Sequence, residues 1–240
     1  MFALLRFPLV LSIYILSALL PALLLLRYIY RHDTIEKEPP LLLGSLLLLG
    51  VVSAILSGFL ERVGEAILSI LVAPNSYGYT IILAFLVIAL IEEGTKFLLL
   101  KWRTWRSPDF NYRFDGIVYA VFISLGFAAY ENVQYVLHYG LSVALPRALL
   151  AVPGHLVFAV LMGVFYGRAK AADARGNDLV CVVNLWWAYF IAVLLHGFYD
   201  ACAMIGTPPA VGLFIFFVLL MYCLVYRVIK RESARDMPVS

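Results

Sequence analysis

Apolar residues run along this chain in long blocks separated by short polar segments. Blocks long enough to cross the hydrocarbon core as helix, about 20 residues each, fall near 7–26, 41–60, 80–100, 116–137, 148–166, 179–203 and 210–229. They predict seven transmembrane helices. None shows the period-two alternation of a membrane β-barrel strand, and a helix satisfies its backbone hydrogen bonds within itself. The expected fold is all-α: a polytopic membrane helical bundle, with residues 1–240 forming a single integral membrane domain without repeats. The first block lacks a small-residue cleavage site and ends in the polar flank RYIYRHD, so it is expected to stay in the mature protein. The segment 61–79, ERVGEAILSILVAPNSYGY, is amphipathic at helical spacing and is expected to lie flat on the membrane or to form a lid.

Composition agrees with this pattern. With 64% hydrophobic and 14% charged residues and a mean hydropathy of +0.94, the chain is too apolar for a soluble globule. The net charge of +3 says little until it is divided among the loops. Arg27, Arg31 and Lys37 fall in one loop, Lys101, Arg103, Arg106 and Arg113 in a second, and Arg168, Lys170 and Arg175 in a third, while Arg227, Lys230, Arg231 and Arg235 lie in the C-terminal tail. The alternate side holds only Arg6, Arg62 and Arg147. The positive-inside rule then puts the N-terminus outside and the C-terminus in the cytoplasm. These basic segments are short and membrane-adjacent, which gives no ground for nucleic-acid binding. Cys181, Cys202 and Cys223 form no ligand spacing and no even-numbered disulfide framework, and are assigned to buried packing.

The informative residues are ionisable groups inside the apolar blocks, where a charge costs several kcal/mol and marks function. Glu92, Glu93 and Lys96 lie on the third predicted span, Glu131 on the fourth, His155 on the fifth, and His196 with Asp200 on the sixth. Counting at about 1.5 Å per residue from the nearest outer end puts Glu131, His155 and His196 roughly 9 to 11 Å deep. Glu92 counts deeper, about 18 Å on the same scale. A site shared by four helices in the outer half of the membrane is the expectation. Glu92 and Lys96 are i,i+4, which suggests one glutamate held by the lysine and the other free to face a cavity. His196 and Asp200 are also i,i+4, so the carboxylate can fix the imidazole's tautomer. His138, near a span end, reads as an interfacial residue without chemistry.

Two imidazoles and several glutamates suit a hydrolytic centre in which a glutamate activates water, or a metal site such as zinc. No GxSxG, HExxH or GxGD motif is present. Pro146 and Pro153, with Gly154 beside His155, mark either a place where the fifth span opens to water and substrate or a simple proline kink without a gating role.

The stretches IEEGTKFL, GFAAYEN, PGHLVFAVLMG and LLHGFYD resemble the motifs of the PrsW family of intramembrane proteases, and YRHDTIEKEP resembles the segment after that family's first span. The likeness covers roughly residues 25 to 205. In the wider superfamily of CAAX prenyl endopeptidases and Abi proteins, the pattern is a diacidic motif, FxxxH or FxxxE, and HxxxN or HxxxD. Here it is matched by Glu92-Glu93, by Phe127 to Glu131 and by His196 to Asp200. Glutamate at 131 favours the PrsW branch. The resemblance implies a protease embedded in a bacterial cytoplasmic membrane that cleaves a single-span protein, such as an anti-sigma factor, near its extracytoplasmic side. Its implied catalytic residues are Glu92, Glu93, Glu131, His155, His196 and Asp200, supported by Lys96, Phe127 and Asn132. Metal dependence stays open, with His155, His196 and Glu131 as candidate ligands for a divalent ion such as zinc. Two alternatives remain at this point: a proton- or cation-coupled transporter using the same groups as a relay, and a non-catalytic membrane scaffold.

Overall fold

Each apolar block is helical in the computed structural model, which describes the backbone of residues 2–239 and the side chains of residues 10–239. Arg6, counted above on the sparsely charged side, lies outside the residues whose side chains are described. The helices are α1 (Phe2–His32), α2 (Pro40–Leu71), α3 (Tyr77–Ile82), α4 (Leu90–Thr104), α5 (Asp115–Tyr139), α6 (Ala144–Leu149), α7 (Ala151–Ala174), α8 (Asp178–Ile205) and α9 (Pro208–Ala234). A π-helical segment, Leu83–Ala89, joins α3 to α4. Among the described residues, 6 stretches are long and apolar enough to cross a membrane. The path from α3 through the π segment to α4 makes the seventh helical pass; its charged residues and its change of winding set it apart from the others.

Local chemistry explains the ends. Pro40 opens α2 and Pro208 opens α9, where a missing N–H costs nothing. The side chains of Ser76 and Asn177 accept the backbone N–H groups of Tyr79 and Val180, capping α3 and α8. Gly206, at φ 64°, ends α8 in the left-handed conformation that glycine adopts without a steric penalty.

The core lies along α5 and α7. Every residue from Asp115 to Ala128 is buried, and so is every residue from Gly154 to Val160. A helix apolar around its whole circumference belongs in the interior. The backbones of α2 and α5 touch because a Cβ on Gly50 would collide with the Ile123 carbonyl and one on Gly126 with that of Leu47. In contrast, α1 and α9 present Leu16, Leu20, Leu23, Phe216 and Leu219 outward, as lipid-facing helices do.

The basic loops gather at one end of the bundle. Arg113 N–H donates to the Met237 carbonyl at 3.1 Å, Phe114 N–H to Asp236 at 2.9 Å, and Lys170 to the Trp105 carbonyl at 2.8 Å. Asn111 donates to Glu36 at 3.0 Å, and Ser233 donates to the His32 carbonyl. The C-terminal tail thereby clasps the loops after α1 and α4.

Two expectations need correction. Residues 61–71 are not a separate surface element, because α2 runs on unbroken to Leu71. Nothing between Leu60 and Leu71 interrupts a helix, and the first breaker is Pro74 in the turn before α3. Of the cysteines, Cys181 and Cys202 are buried, but Cys223 is exposed on the outer surface of α9.

Candidate active site

The glutamate pair begins α4, one turn after the π segment. π-bulges shift the register of a helix and are frequent at functional sites. The π segment also lets α8 approach closely: a Cβ on Gly197 would strike the Phe85 ring. That contact brings the neighbouring His196 to the glutamates.

Lys96 is fully buried, and its ammonium donates to Glu92 at 3.0 Å and to Glu93 at 2.8 Å. One lysine therefore holds both acids, because Glu93 is i,i+3 to it and within the same reach as the i,i+4 partner. The acids differ in what else they meet. Glu93 is closed off from solvent, and its Oε1 also accepts from His196 Nδ1 at 2.9 Å. Its Oε2 is buried with no hydrogen-bond partner among the described residues. Glu92 lines a cavity of about 630 Å³ shared with Glu131, Arg147, His155, His196 and Asp200.

His155, on α7, lies with Nδ1 3.5 Å from the Lys96 ammonium and Nε2 3.0 Å from Glu131. An ammonium has no lone pair to offer, so this contact leaves Nδ1 the acceptor and Nε2–H the donor to Glu131. The tautomer follows from the network. Glu131 also pairs with Arg147 at 3.1 Å. Asn132 accepts from Arg147 at 2.8 Å and donates to the Ala18 carbonyl at 2.7 Å, tying α5 to α6 and α1. His196 has carboxylates on both nitrogens, with Asp200 3.3 Å from Nε2. Phe158 stacks on His196 at 4.8 Å, and the Lys96 ammonium lies 3.8 Å from the centre of the Phe127 ring. Hydrogen bonds and ion pairs thus link Arg147, Glu131, His155, Lys96, Glu93, His196 and Asp200 in one chain across five helices. His138 is exposed against Tyr139, away from this chain.

All the residues singled out by sequence therefore converge. Two more were missed. Glu61 lines the cavity because α2 extends past the apolar block that marked it. Arg147 was counted as a loop charge but faces Glu131. Pro153 has the effect expected of a helix breaker: it leaves the Leu149 carbonyl without its helical partner, and the Tyr222 hydroxyl donates to that oxygen at 2.6 Å.

Residues 38–227 match the PrsW family of intramembrane metalloproteases. The chain belongs to this family. A Protease PrsW of Geobacillus kaustophilus (strain HTA426) is 35% identical over 180 residues, covering 75% of each chain. The Protease PrsW of Clostridioides difficile (strain 630) is 31% identical over 211 residues, 86% of each chain, and that of Bacillus subtilis (strain 168) is 32% identical over 184 residues, 77% of this chain and 79% of the relative. No solved structure matches. The protein is accordingly an integral membrane protease of the PrsW family.

The family description names a metal, and the residues fit one. Ligand atoms of Glu92, Glu93 and His155 lie within 4.8 Å of one another. Glu93 Oε2, without a hydrogen-bond partner among the described residues, is an open ligand atom, and carboxylate and imidazole groups suit a divalent ion such as zinc. Of the ligands considered from sequence, His155 belongs to this group, while Glu131 pairs with His155 and Arg147 and His196 with Glu93 and Asp200; the Lys96 ammonium lies 3.0, 2.8 and 3.5 Å from Glu92, Glu93 and His155, so an ion held by these three has to displace it.

Proposed function

We propose that the protein is an endopeptidase that hydrolyses a peptide bond of a single-span membrane protein, an anti-sigma factor being the expected substrate, with Glu92 as general base. The whole chain, 1–240, acts as one domain in a bacterial cytoplasmic membrane. One observation carries the assignment of the base: of two acids bridged to the same lysine, Glu92 opens on the cavity and Glu93 does not. The basic loops lie at the opposite end of the bundle, so the positive-inside rule supports an extracytoplasmic cleavage position.

Glu92 takes a proton from the attacking water as its oxygen bonds to the scissile carbonyl carbon, and returns that proton to the amine nitrogen as the carbon–nitrogen bond breaks. Lys96 keeps the glutamate pair together and balances its charge. His155 and His196 border the cavity at Glu92, where they confine the attacking water and the scissile carbonyl. Glu131 orients His155, and Glu93 with Asp200 orient His196. Were a divalent ion held by Glu92, Glu93 and His155, it would supply the polarisation of the water itself, and Glu92 would act as its ligand instead of as the base. Loss of cleavage on chelation with recovery on zinc addition would assign that ion.

The test is cleavage of a panel of tagged single-span membrane proteins by the wild type, by Glu92→Gln, and by Glu38→Gln as a control far from the cavity. Glu92→Gln is expected to lower the rate by about 10²- to 10⁴-fold. A Glu92→Gln protein that cuts at the wild-type rate overturns the assignment.

A further inference from the structure

The reaction proposed above uses one cavity, but the site opens on two. A second cleft of about 580 Å³ lies between α2 and α5, lined by Ile55, Gly58, Phe59 and Gln134. Both clefts share Glu61, Glu92, Glu131 and Tyr135, so they meet at the acids. Each is of a size that holds a ligand-sized group.

Glu61 stands at this junction for a reason visible in α2. Ser53, Ser57 and Glu61 follow at i,i+4 and share a face. The first two hydroxyls lie 2.7 and 2.8 Å from Thr95 Oγ1 on α4, which fixes that face against the helix bearing Glu92. One turn on, Glu61 borders both clefts together with Glu92 and Glu131. Its Oε1 is shielded from solvent and has no hydrogen-bond partner among the described residues. A shielded acceptor left unmatched is costly, so the natural occupant of the junction brings a donor. The ligand atoms grouped for a metal, those of Glu92, Glu93 and His155, do not include Glu61. An extended peptide does bring donors. Its main-chain N–H groups find no partner in lipid once the helix is unwound, and each needs an acceptor.

We propose that the two clefts form one channel for an unwound substrate segment and that Glu61 is a substrate-binding residue, its Oε1 accepting a main-chain N–H of that segment so that the scissile carbonyl lies beside Glu92. The inference rests on the endopeptidase reading and names how that site holds its substrate. The segment runs from the cleft at Gly58, across the acids, to the cavity at α8 and α9. Gly58 keeps the second cleft clear, since open space lies where its Cβ would be.

The experiment uses purified full-length protein in proteoliposomes and, as probe, the tagged single-span protein that the wild type cuts in the panel above. Glu61→Leu removes the acceptor and is expected to raise KM by about ten-fold, as loss of a buried hydrogen bond does, with little change in kcat. Glu61→Gln keeps an acceptor oxygen and is expected to restore KM to within about three-fold of the wild type. Gly58→Phe narrows the second cleft while leaving every acid in the sequence, and is expected to raise KM as well, which carries the test where Glu61→Leu fails to fold. Unchanged KM in Glu61→Leu or in Gly58→Phe overturns the channel. A loss confined to kcat in Glu61→Leu, matching that of Glu92→Gln, overturns the binding role. No cleavage of any panel protein by the wild type removes the endopeptidase reading and this inference with it.

Discussion

Two groups of buried ionisable side chains lie toward opposite ends of this bundle, and they differ in chemistry more than in burial. Toward the end where the basic loops gather, Tyr119 donates to Glu38 and, at 3.0 Å, to the Asp109 carbonyl. Asp115 accepts the N–H groups of Asn111 and Tyr112 at 3.0 and 2.7 Å. Asp33 and Glu38 are as buried as the glutamates of the site. These carboxylates mostly meet a phenol, each other and loop backbone, and they fix how the loops fold. In the site, the carboxylates meet two imidazoles, a buried lysine and an arginine, and they open on a cavity. Burial of charge alone does not mark an active site. What separates the two groups is an imidazole able to donate or accept, a fixed cation, and room for a substrate.

Removing the fixed cation is the strongest way to break this comparison. Lys96→Met strips both glutamates of their common partner and leaves two buried carboxylates facing each other. Deleting one member of a buried ion pair typically costs about 3–5 kcal/mol. The expected result is a destabilisation of that order, read by denaturant unfolding in detergent micelles. Adding Glu93→Gln to Lys96→Met is expected to recover part of the loss, since one of the unpaired charges goes with it. A Lys96→Met protein of wild-type stability would mean that the lysine balances no buried charge.

The opposite group sharpens the contrast through pH. Burial is the largest influence on Glu38, outside the membrane-spanning helices, and pushes its carboxyl up to about 7, while Asp33 is pushed up to about 6. An acid whose folded value lies above its unfolded value binds a proton more tightly in the folded state. Its contribution is fully present below the ordinary carboxylate range and is lost as pH rises through about 7. Wild-type thermal stability is therefore expected to fall between those limits. Glu38→Gln carries a neutral group at every pH and is expected to flatten that part of the profile while cleaving at the wild-type rate. A Glu38→Gln protein with reduced cleavage would join the two groups into one functional system.

The same contrast explains what the sequence makes legible. Hydropathy located every pass, because crossing lipid demands an apolar run whatever the function. It undercounted their lengths, since helices run on into polar residues once a turn is hydrogen-bonded; α2 gains Glu61 this way. The stripe of Ser53, Ser57 and Glu61 was a readable signal of a polar helix face, but it was divided between an apolar block and a segment taken to be superficial. Arg147 was hidden by its position, as a charge near a predicted span end reads as topology until its partner is seen. The motif residues converge as expected because each is costly alone in lipid. Which glutamate faces the cavity was not legible, since the answer depends on the π segment and on how closely α8 approaches at Gly197.

The smallest expected effect concerns the break between α6 and α7 at Pro153. Pro153 cannot donate to the Leu149 carbonyl, and the Tyr222 hydroxyl from α9 fills that place at 2.6 Å while also approaching the Leu150 carbonyl at 3.3 Å. Tyr222→Phe keeps the ring and removes the donor, so the carbonyl must find water or remain unmatched. A loss of about 1 kcal/mol is expected, the usual net worth of such a bond. The break lies between Arg147 on α6 and His155 on α7, the two residues that grip Glu131 from opposite sides. Loosening it is therefore expected to lower cleavage modestly, by less than the stability loss would allow if the bond held the site directly. Thermal unfolding and the cleavage assay on the same preparation separate the two. Unchanged stability with strongly reduced cleavage would make Tyr222 part of the catalytic geometry, and would extend the site's network to a helix that otherwise faces lipid.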